Sequence, residues 1–455
     1  MDKLKRHKSQ HSRHHSRHRS GRMNSQNTVT MATPENGRAD THESQPLLGG
    51  QGSSSERPLW EHESPVVRWP MFTLHKTWEV LASNYVNVLL VFVPAGIITG
   101  ALGTNPTAVF ILNFLAIIPL ASLLSFATEE LAAKLGQTIG GLLNATFGNA
   151  VELIVSILAL TQGQIRIVQS SMLGSILSNI LLVLGCCFIA GGVTRSEQNF
   201  NSTVASTMSS LMAVASASLI IPATLYAALS TSKSSSQENI LILSHGTAII
   251  LLLLYILYLF FQLKTHSHLF DEEQQQDGGD NQKEPEILSP VAAGVALVVV
   301  TIMVAVCADY LVDSIDSIVE ESGVSKTFIG LVLLPIVGNA AEHVTACVVA
   351  YKDKMDLAIG VAIGSSMQIA LFVTPFLVIL GWIIDKPMTL HFQTFETVVF
   401  FLSVLVVNYL IQDGKSNYLE GSMCLGTYII IALAFFVYPD DAGDSMLNGL
   451  FSKHT

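Results

Sequence analysis

Two short strings, Gly148-Asn149-Ala150-Val151-Glu152 and Gly338-Asn339-Ala340-Ala341-Glu342, set a carboxylate inside each of two apolar stretches that otherwise read as membrane-spanning helices. A charge at the middle of a bilayer costs at least about 2.5 to 3.5 kcal/mol, so an intramembrane acid marks an ion or proton pathway by default. Two acids in one repeated context point to one shared site. The glutamates lie 190 residues apart, and the same offset maps Gly140 on Gly330, Gly174 on Gly364 and Ser175 on Ser365. Agreement without a gap implies that the chain is a duplication.

Composition fixes the environment of that duplication. Half of the 455 residues are hydrophobic and only 13% are charged, against about a quarter charged in an ordinary soluble domain. This is the composition of a polytopic membrane protein. Cys186, Cys187, Cys307, Cys347 and Cys424 fall mostly in apolar stretches without metal-ligand spacing and read as small buried hydrophobes. The net charge of −11 says less than its distribution, with bases gathered at the N-terminus and acids in loops. Nothing in it implies a nucleic-acid partner.

Apolar stretches near 80–102, 107–127, 139–161, 171–192, 204–230, 239–263, 290–312, 326–351, 356–384, 393–412 and 421–438 give eleven candidate spans. The fold class expected is therefore an all-α polytopic membrane protein whose eleven helices divide as 1 + 5 + 5. An odd number of spans per copy forces the two copies to insert with opposite orientation, the inverted-repeat plan of secondary transporters. The expected organisation is a disordered basic tail over 1–75, an additional helix at 80–102, a first repeat at 107–263, an acidic loop at 264–289, a second repeat at 290–438 and a short tail at 439–455. The tail carries Lys3, Lys5, Arg6, Lys8, Arg13, Arg17, Arg19 and Arg22 and lacks the apolar core of a signal peptide. Its positive charge places the N-terminus in the cytosol and, after eleven crossings, the C-terminus in the lumen.

The polar residues around the acids define the candidate chemistry. In a continuous helix Asn149 would share a face with Glu152, and Asn339 with Glu342. Ser175, Ser178 and Asn179 fall together on the next helix of the first copy, as Ser365 and Gln368 do in the second. Carboxylate, amide and hydroxyl oxygens without a thiolate suit a hard cation such as Ca²⁺, which takes six to eight oxygen ligands. Gly148 and Gly338 would permit close helix approach, or a local break that frees carbonyl oxygens. Burial and mutual repulsion disfavour two bare carboxylates, so cation and protons should compete for Glu152 and Glu342. His343, beside Glu342 and on the Asn339 face, is a candidate for tuning proton release. Alternation between a cation-bound and a protonated state would couple the two ions.

The strings Asn144-Ala145-Thr146-Phe147-Gly148-Asn149-Ala150-Val151-Glu152-Leu153 and Leu334-Pro335-Ile336-Val337-Gly338-Asn339-Ala340-Ala341-Glu342-His343 closely resemble the paired signature helices of the CAX family, the Ca²⁺/H⁺ antiporters of the calcium:cation antiporter superfamily. The likeness runs over about 75–438. It implies that Glu152 and Glu342 bind and exchange Ca²⁺ and H⁺, assisted by Asn149, Asn339, Ser175, Ser365 and Gln368. The offset pairs Gln368 with Ser178, while Asn179 is the more amide-like neighbour, so both stay in the candidate set. The resemblance also implies no cofactor beyond the transported ions, no enzymatic activity, and residence in a vacuolar membrane. Glu43-Ser44-Gln45-Pro46-Leu47-Leu48 resembles an acidic dileucine motif, the signal a sorting adaptor would read in the cytosolic tail. Alternatives are a Mn²⁺ or other divalent cation/H⁺ antiporter, a Na⁺-coupled relative and, further off, a cation channel. Neither H-E-x-x-H nor G-x-S-x-G occurs, which disfavours an intramembrane hydrolase.

Overall fold

Among the described residues, each apolar stretch read from the sequence is mainly helical. The structure, a computed structural model, describes residues 75–81, 84–229, 236–267 and 288–439, all within one compact unit, Pro58–Thr455. The basic tail with its dileucine motif, most of the acidic loop and most of the C-terminal tail lie outside the described residues. We number the main helices α1 (Tyr85–Ala101), α2 (Pro106–Leu135), α3 (Gln137–Phe147), α4 (Ala150–Thr161), α5 (Ile165–Gly192), α6 (Ser202–Leu229), α7 (Glu238–Thr265), α8 (Pro290–Asp313), α9 (Lys326–Gly338), α10 (Ala340–Tyr351), α11 (Met355–Ile383), α12 (Thr394–Leu410) and α13 (Tyr418–Phe436).

Seven of these are long and apolar enough to cross a membrane singly, and up to ten spans result if each bent pair is one. α12, at 17 residues, is shorter. The bent pairs α3/α4 and α9/α10 turn by 47° and 58° at the two signature strings. Local sequence explains where helices start. Asn105 accepts from the Thr107 N–H at 2.8 Å ahead of Pro106, and Ser289 does the same for α8 ahead of Pro290. One feature lies outside the all-α expectation: a two-residue antiparallel ladder pairs Gln198 with Ser416 and Asn199 with Lys415.

That ladder marks one face of the bundle. Gln198 donates to Asp353 Oδ1 (2.7 Å), and the Lys134 ammonium reaches the Leu288 carbonyl (2.5 Å), which gathers the turns after α2, α5, α7, α10 and α12 on this ladder face. The opposite face is tied by Gln164 to Asp316 (2.7 Å) and Gln169 to the His391 carbonyl (3.1 Å). Also on the opposite face, Arg166 grips the fully buried Glu396 with two N–H groups and Thr327 with two more, joining the starts of α5, α9 and α12. The repeats thus run in opposite senses through one core. Of their most apolar stretches, 83% of α5 and 67% of α11 is buried, against 28% of α13, so α5 and α11 form the centre. α1 docks outside both repeats through Gly96 on Asn113 and Gly100 on the Tyr310 ring, a small-residue contact that lets backbones approach.

Candidate functional site

Each signature helix is broken at its Gly-Asn step. Asn149 (φ −102°, ψ 28°) and Asn339 (φ −99°, ψ 7°) stand in non-helical geometry, and α4 and α10 restart immediately after them. Of the two roles open to Gly148 and Gly338, close helix approach or a local break, the structure has the break, so asparagine and glutamate do not share the face of one continuous helix. The break instead places Glu152 and Glu342 in the first turn of a half-helix, where the positive end of the helix dipole faces each carboxylate. Tyr255 donates to the Ala145 carbonyl at the first break (3.3 Å) and stacks on Phe372 (5.1 Å), tying the bend to the second repeat.

The two glutamates pack crosswise. A methyl group on Gly338 would lie 3.0 Å from Glu152 Oε1, and one on Gly148 would lie 4.0 Å from Glu342 Oε1. Each acid therefore rests against the other repeat's signature glycine. Glu152 is only 6% exposed, and its Oε1, Glu342 Oε2 and the Asn339 amide nitrogen are buried without a hydrogen-bond partner among the described residues. Orphaned carboxylate oxygens are costly inside a protein unless something binds them. Hard oxygen donors are what the site offers.

An amide and hydroxyl chain completes it. Asn179 donates to Ser365 Oγ (3.1 Å), Ser365 donates to Asn149 Oδ1 (2.8 Å), and Asn149 donates to Gln368 Oε1 (2.7 Å). Ser178 does not join, since its hydroxyl donates to the Ser175 carbonyl (3.2 Å). The reason is backbone geometry. π-helical turns begin at Ser178 in α5 and directly after Gln368 in α11, and such widened turns rotate the residues that follow them. The repeat-related chain around Asn339 and Ser175 cannot form, because Ile369 stands where Asn179 would be and Ser178 is too short to replace Gln368. His343 Nε2 is buried without a hydrogen-bond partner among the described residues, and His343 lines neither of the two cavities at the glutamates.

Two cavities reach the glutamates, and they are images of one another. A vestibule of about 280 Å³ on the ladder face is lined by Glu342, Gly148, Asn144, Thr345, Val361 and Ser365, together with Glu129, Gly364 and Gln368. A pocket of about 20 Å³ toward the opposite face is lined by Glu152, Gly338, Leu334, Val155, Ser171 and Ser175. The first six residues of the vestibule correspond, one by one, to these six at an offset of 190. The smaller pocket has room for about one water; the larger is wide enough for a hydrated ion. Backbone contact seals the small side. A methyl group on Gly174 would fall 2.1 Å from the Leu331 carbonyl oxygen, and one on Gly330 would fall 2.0 Å from Ser170 Oγ. Gly364, the image of Gly174, faces open space within 4 Å.

The sequence reading missed Glu129, Asn144 and Thr345 on the vestibule wall and the Arg166–Glu396 tie. Asn144 could have been flagged as a polar residue within the apolar stretch 139–161, whereas Glu129 falls just beyond the stretch 107–127. The pairing of Arg166 with Glu396 had no local signal.

Comparison with known proteins gives consistent matches. The sodium/calcium exchanger protein family model matches residues 105–264 and 292–437. A vacuolar calcium ion transporter of Schizosaccharomyces pombe is 53% identical over 400 residues, covering 88% of this chain and 94% of the relative. A Ca²⁺/H⁺ antiporter of Aphanothece halophytica is 46% identical over 360 residues, covering 77% and 96%. Among solved structures, selenium-substituted Ca²⁺/H⁺ antiporter protein YfkE superposes with a TM-score of 0.65 at 36% identity, covering 77% of this chain and 99% of its own.

Proposed function

This chain belongs to the sodium/calcium exchanger protein family, and from that membership we propose that Glu152 and Glu342 are the exchange site of a vacuolar Ca²⁺/H⁺ antiporter. The protein is a secondary active transporter that moves Ca²⁺ out of the cytosol against lumenal H⁺. Our reading rests on one observation above the rest. Two carboxylates with orphaned oxygens lie between repeat-related cavities, one wide and one collapsed.

Alternating access follows from that geometry. Ca²⁺ arriving in the vestibule meets Glu342, Ser365 and the Asn149–Gln368 amides, with Glu152 directly behind. Carboxylate, amide, hydroxyl and water oxygens can complete its shell of six to eight. Charge neutralisation then permits the vestibule to close and its image to open, because only a cation or protons relieve two facing carboxylates in a water-poor interior. Protons from the acidic lumen displace Ca²⁺ and occupy the same oxygens for the return. We place Asn339 and Ser175 as the ligands that engage once the second path opens, and Asn179 as the residue that positions Ser365. His343 is assigned to proton handling beside Glu342, and Ser178 to backbone support.

We take the ladder face as cytosolic. α7 ends and α8 begins on that face, so the acidic stretch of sequence between them belongs to the cytosolic side in this reading, as does an N-terminus rich in Lys and Arg. α13 then ends in the lumen. Coupled transport, rather than catalysis, is the reading that uses these residues. Competition of Mn²⁺ and Na⁺ with Ca²⁺ uptake into vesicles, with the pH gradient intact and collapsed, separates this function from its relatives. Uptake driven by Na⁺, or indifferent to protons, would overturn the assignment.

A further inference from the structure

The two access paths are related by the repeat, yet their walls differ in chemistry. Along the vestibule stand Glu129, Asn144 and Thr345. Their counterparts 190 residues away are Val319, Leu334 and Val155. Leu334 and Val155 line the sealed pocket, and Val319 packs on the hydrophobic core. Three positions run the other way, since Ser156, Ser170 and Ser171 replace Ala346, Gly360 and Val361. None of those hydroxyls carries the charge that Glu129 adds to the vestibule. Ser170 donates its proton to the Arg166 carbonyl (2.8 Å) and Ser171 to the Val168 carbonyl (3.2 Å), which leaves each only uncharged lone pairs to offer.

From this asymmetry, and building on the exchange reading above, we infer that the site captures Ca²⁺ from the vestibule face at a lower concentration than from the opposite face, with Asn144, Thr345 and Glu129 setting the difference. A cleft lined by one sign of charge in low-dielectric walls concentrates counter-ions and speeds their arrival by roughly 10- to 1,000-fold. Amide and hydroxyl oxygens beside Glu342 offer partial replacement of the cation's water during approach. On the opposite path Leu334 and Val155 stand where Asn144 and Thr345 would be, and an ion leaving Glu152 meets only the uncharged hydroxyls of Ser156, Ser171 and Ser175. The walls thereby favour loading on one face and discharge on the other, and the bias comes from side chains outside the glutamate pair.

The test is the half-saturating Ca²⁺ concentration for transport from each face, measured on the full chain in vesicles of uniform orientation without pH or voltage gradients. The wild type is expected to show a value about 10-fold lower from the vestibule face. The combined variant Glu129→Val, Asn144→Leu, Thr345→Val should raise that value toward that of the opposite face and leave the opposite-face value in place, a control carried by the same molecules. The reciprocal variant Leu334→Asn with Val155→Thr should lower the opposite-face value alone. Equal values from both faces of the wild type would overturn the inference with exchange intact, as would an asymmetry that survives both variants. Absence of exchange from either face would instead sink the exchange reading and this inference with it.

Discussion

Glu152 rests against Gly338, its Oε1 3.0 Å from the point that a methyl group would occupy there. The repeat-related contact of Glu342 on Gly148 is looser, at 4.0 Å. The carboxylates are therefore each held by the opposite repeat, and what one half of the molecule does to its glycine is felt by the other half's acid.

Removing charge from either acid should stop transport. Glu152→Gln and Glu342→Gln are each expected to reduce coupled Ca²⁺/H⁺ exchange by more than about 100-fold, beyond the 10- to 100-fold typical of losing an outer-shell partner. Both variants should insert and elute as wild type does, because glutamine conserves volume. Exchange retained in either one would break the paired-carboxylate mechanism.

Gly338→Ala probes the crosswise contact. The added methyl group meets a carboxylate with little room to move, and overpacking of this kind costs about 1–3 kcal/mol. The apparent Ca²⁺ affinity should fall about 10-fold or more, read as a rise in the half-saturating concentration for uptake. Ca²⁺ affinity unchanged by the methyl group would show that Glu152 does not depend on its seat against Gly338.

Gly364→Leu should separate stability from transport. Gly364 lines the vestibule and a β-carbon added there meets nothing within 4 Å, so thermal stability should stay within about 0.5 kcal/mol of wild type. Closure of the vestibule requires α11 to approach α3 around Gly140 and Gly141 as α5 now approaches Leu331, and a leucine would block that approach. Transport should be lost while the vestibule remains labelled by soluble thiol reagents at an introduced cysteine. By contrast, Gly174→Leu should unfold the present state, because its methyl group already collides with the Leu331 backbone.

Arg166→Ala leaves Glu396 fully buried without its partner. Breaking a buried ion pair from one side costs about 3–5 kcal/mol, and the melting temperature in detergent should drop accordingly. The double variant Arg166→Met with Glu396→Leu should recover much of the loss. Equal destabilisation by the single and double variants would mean that the pair itself stabilises these three helices.

Much of this was legible in the residues themselves. The offset of 190 fixed the duplication, the pairing of Glu152 with Glu342 and the convergence of α5 and α11, because intramembrane polarity is rare enough to be informative residue by residue. Three things were hidden for physical reasons. The π-turns shift the register after Ser178, so helical spacing alone could not choose Asn179 over Ser178. The Arg166–Glu396 pair joins segments 230 residues apart, a distance no local pattern spans. Which path is open is a property of one conformation, whereas both repeats carry residues for either state; the unequal cavities, with Gly174 in contact and Gly364 in the open, reveal it.

The most direct test of the central claim is uptake of radiolabelled Ca²⁺ into proteoliposomes with an acidic interior, recorded with an interior pH indicator and repeated with a protonophore. The account predicts uptake that is matched by proton efflux, vanishes when the gradient is collapsed and is absent in Glu152→Gln and Glu342→Gln. Uptake that persists without a proton gradient, or without either carboxylate, would contradict it.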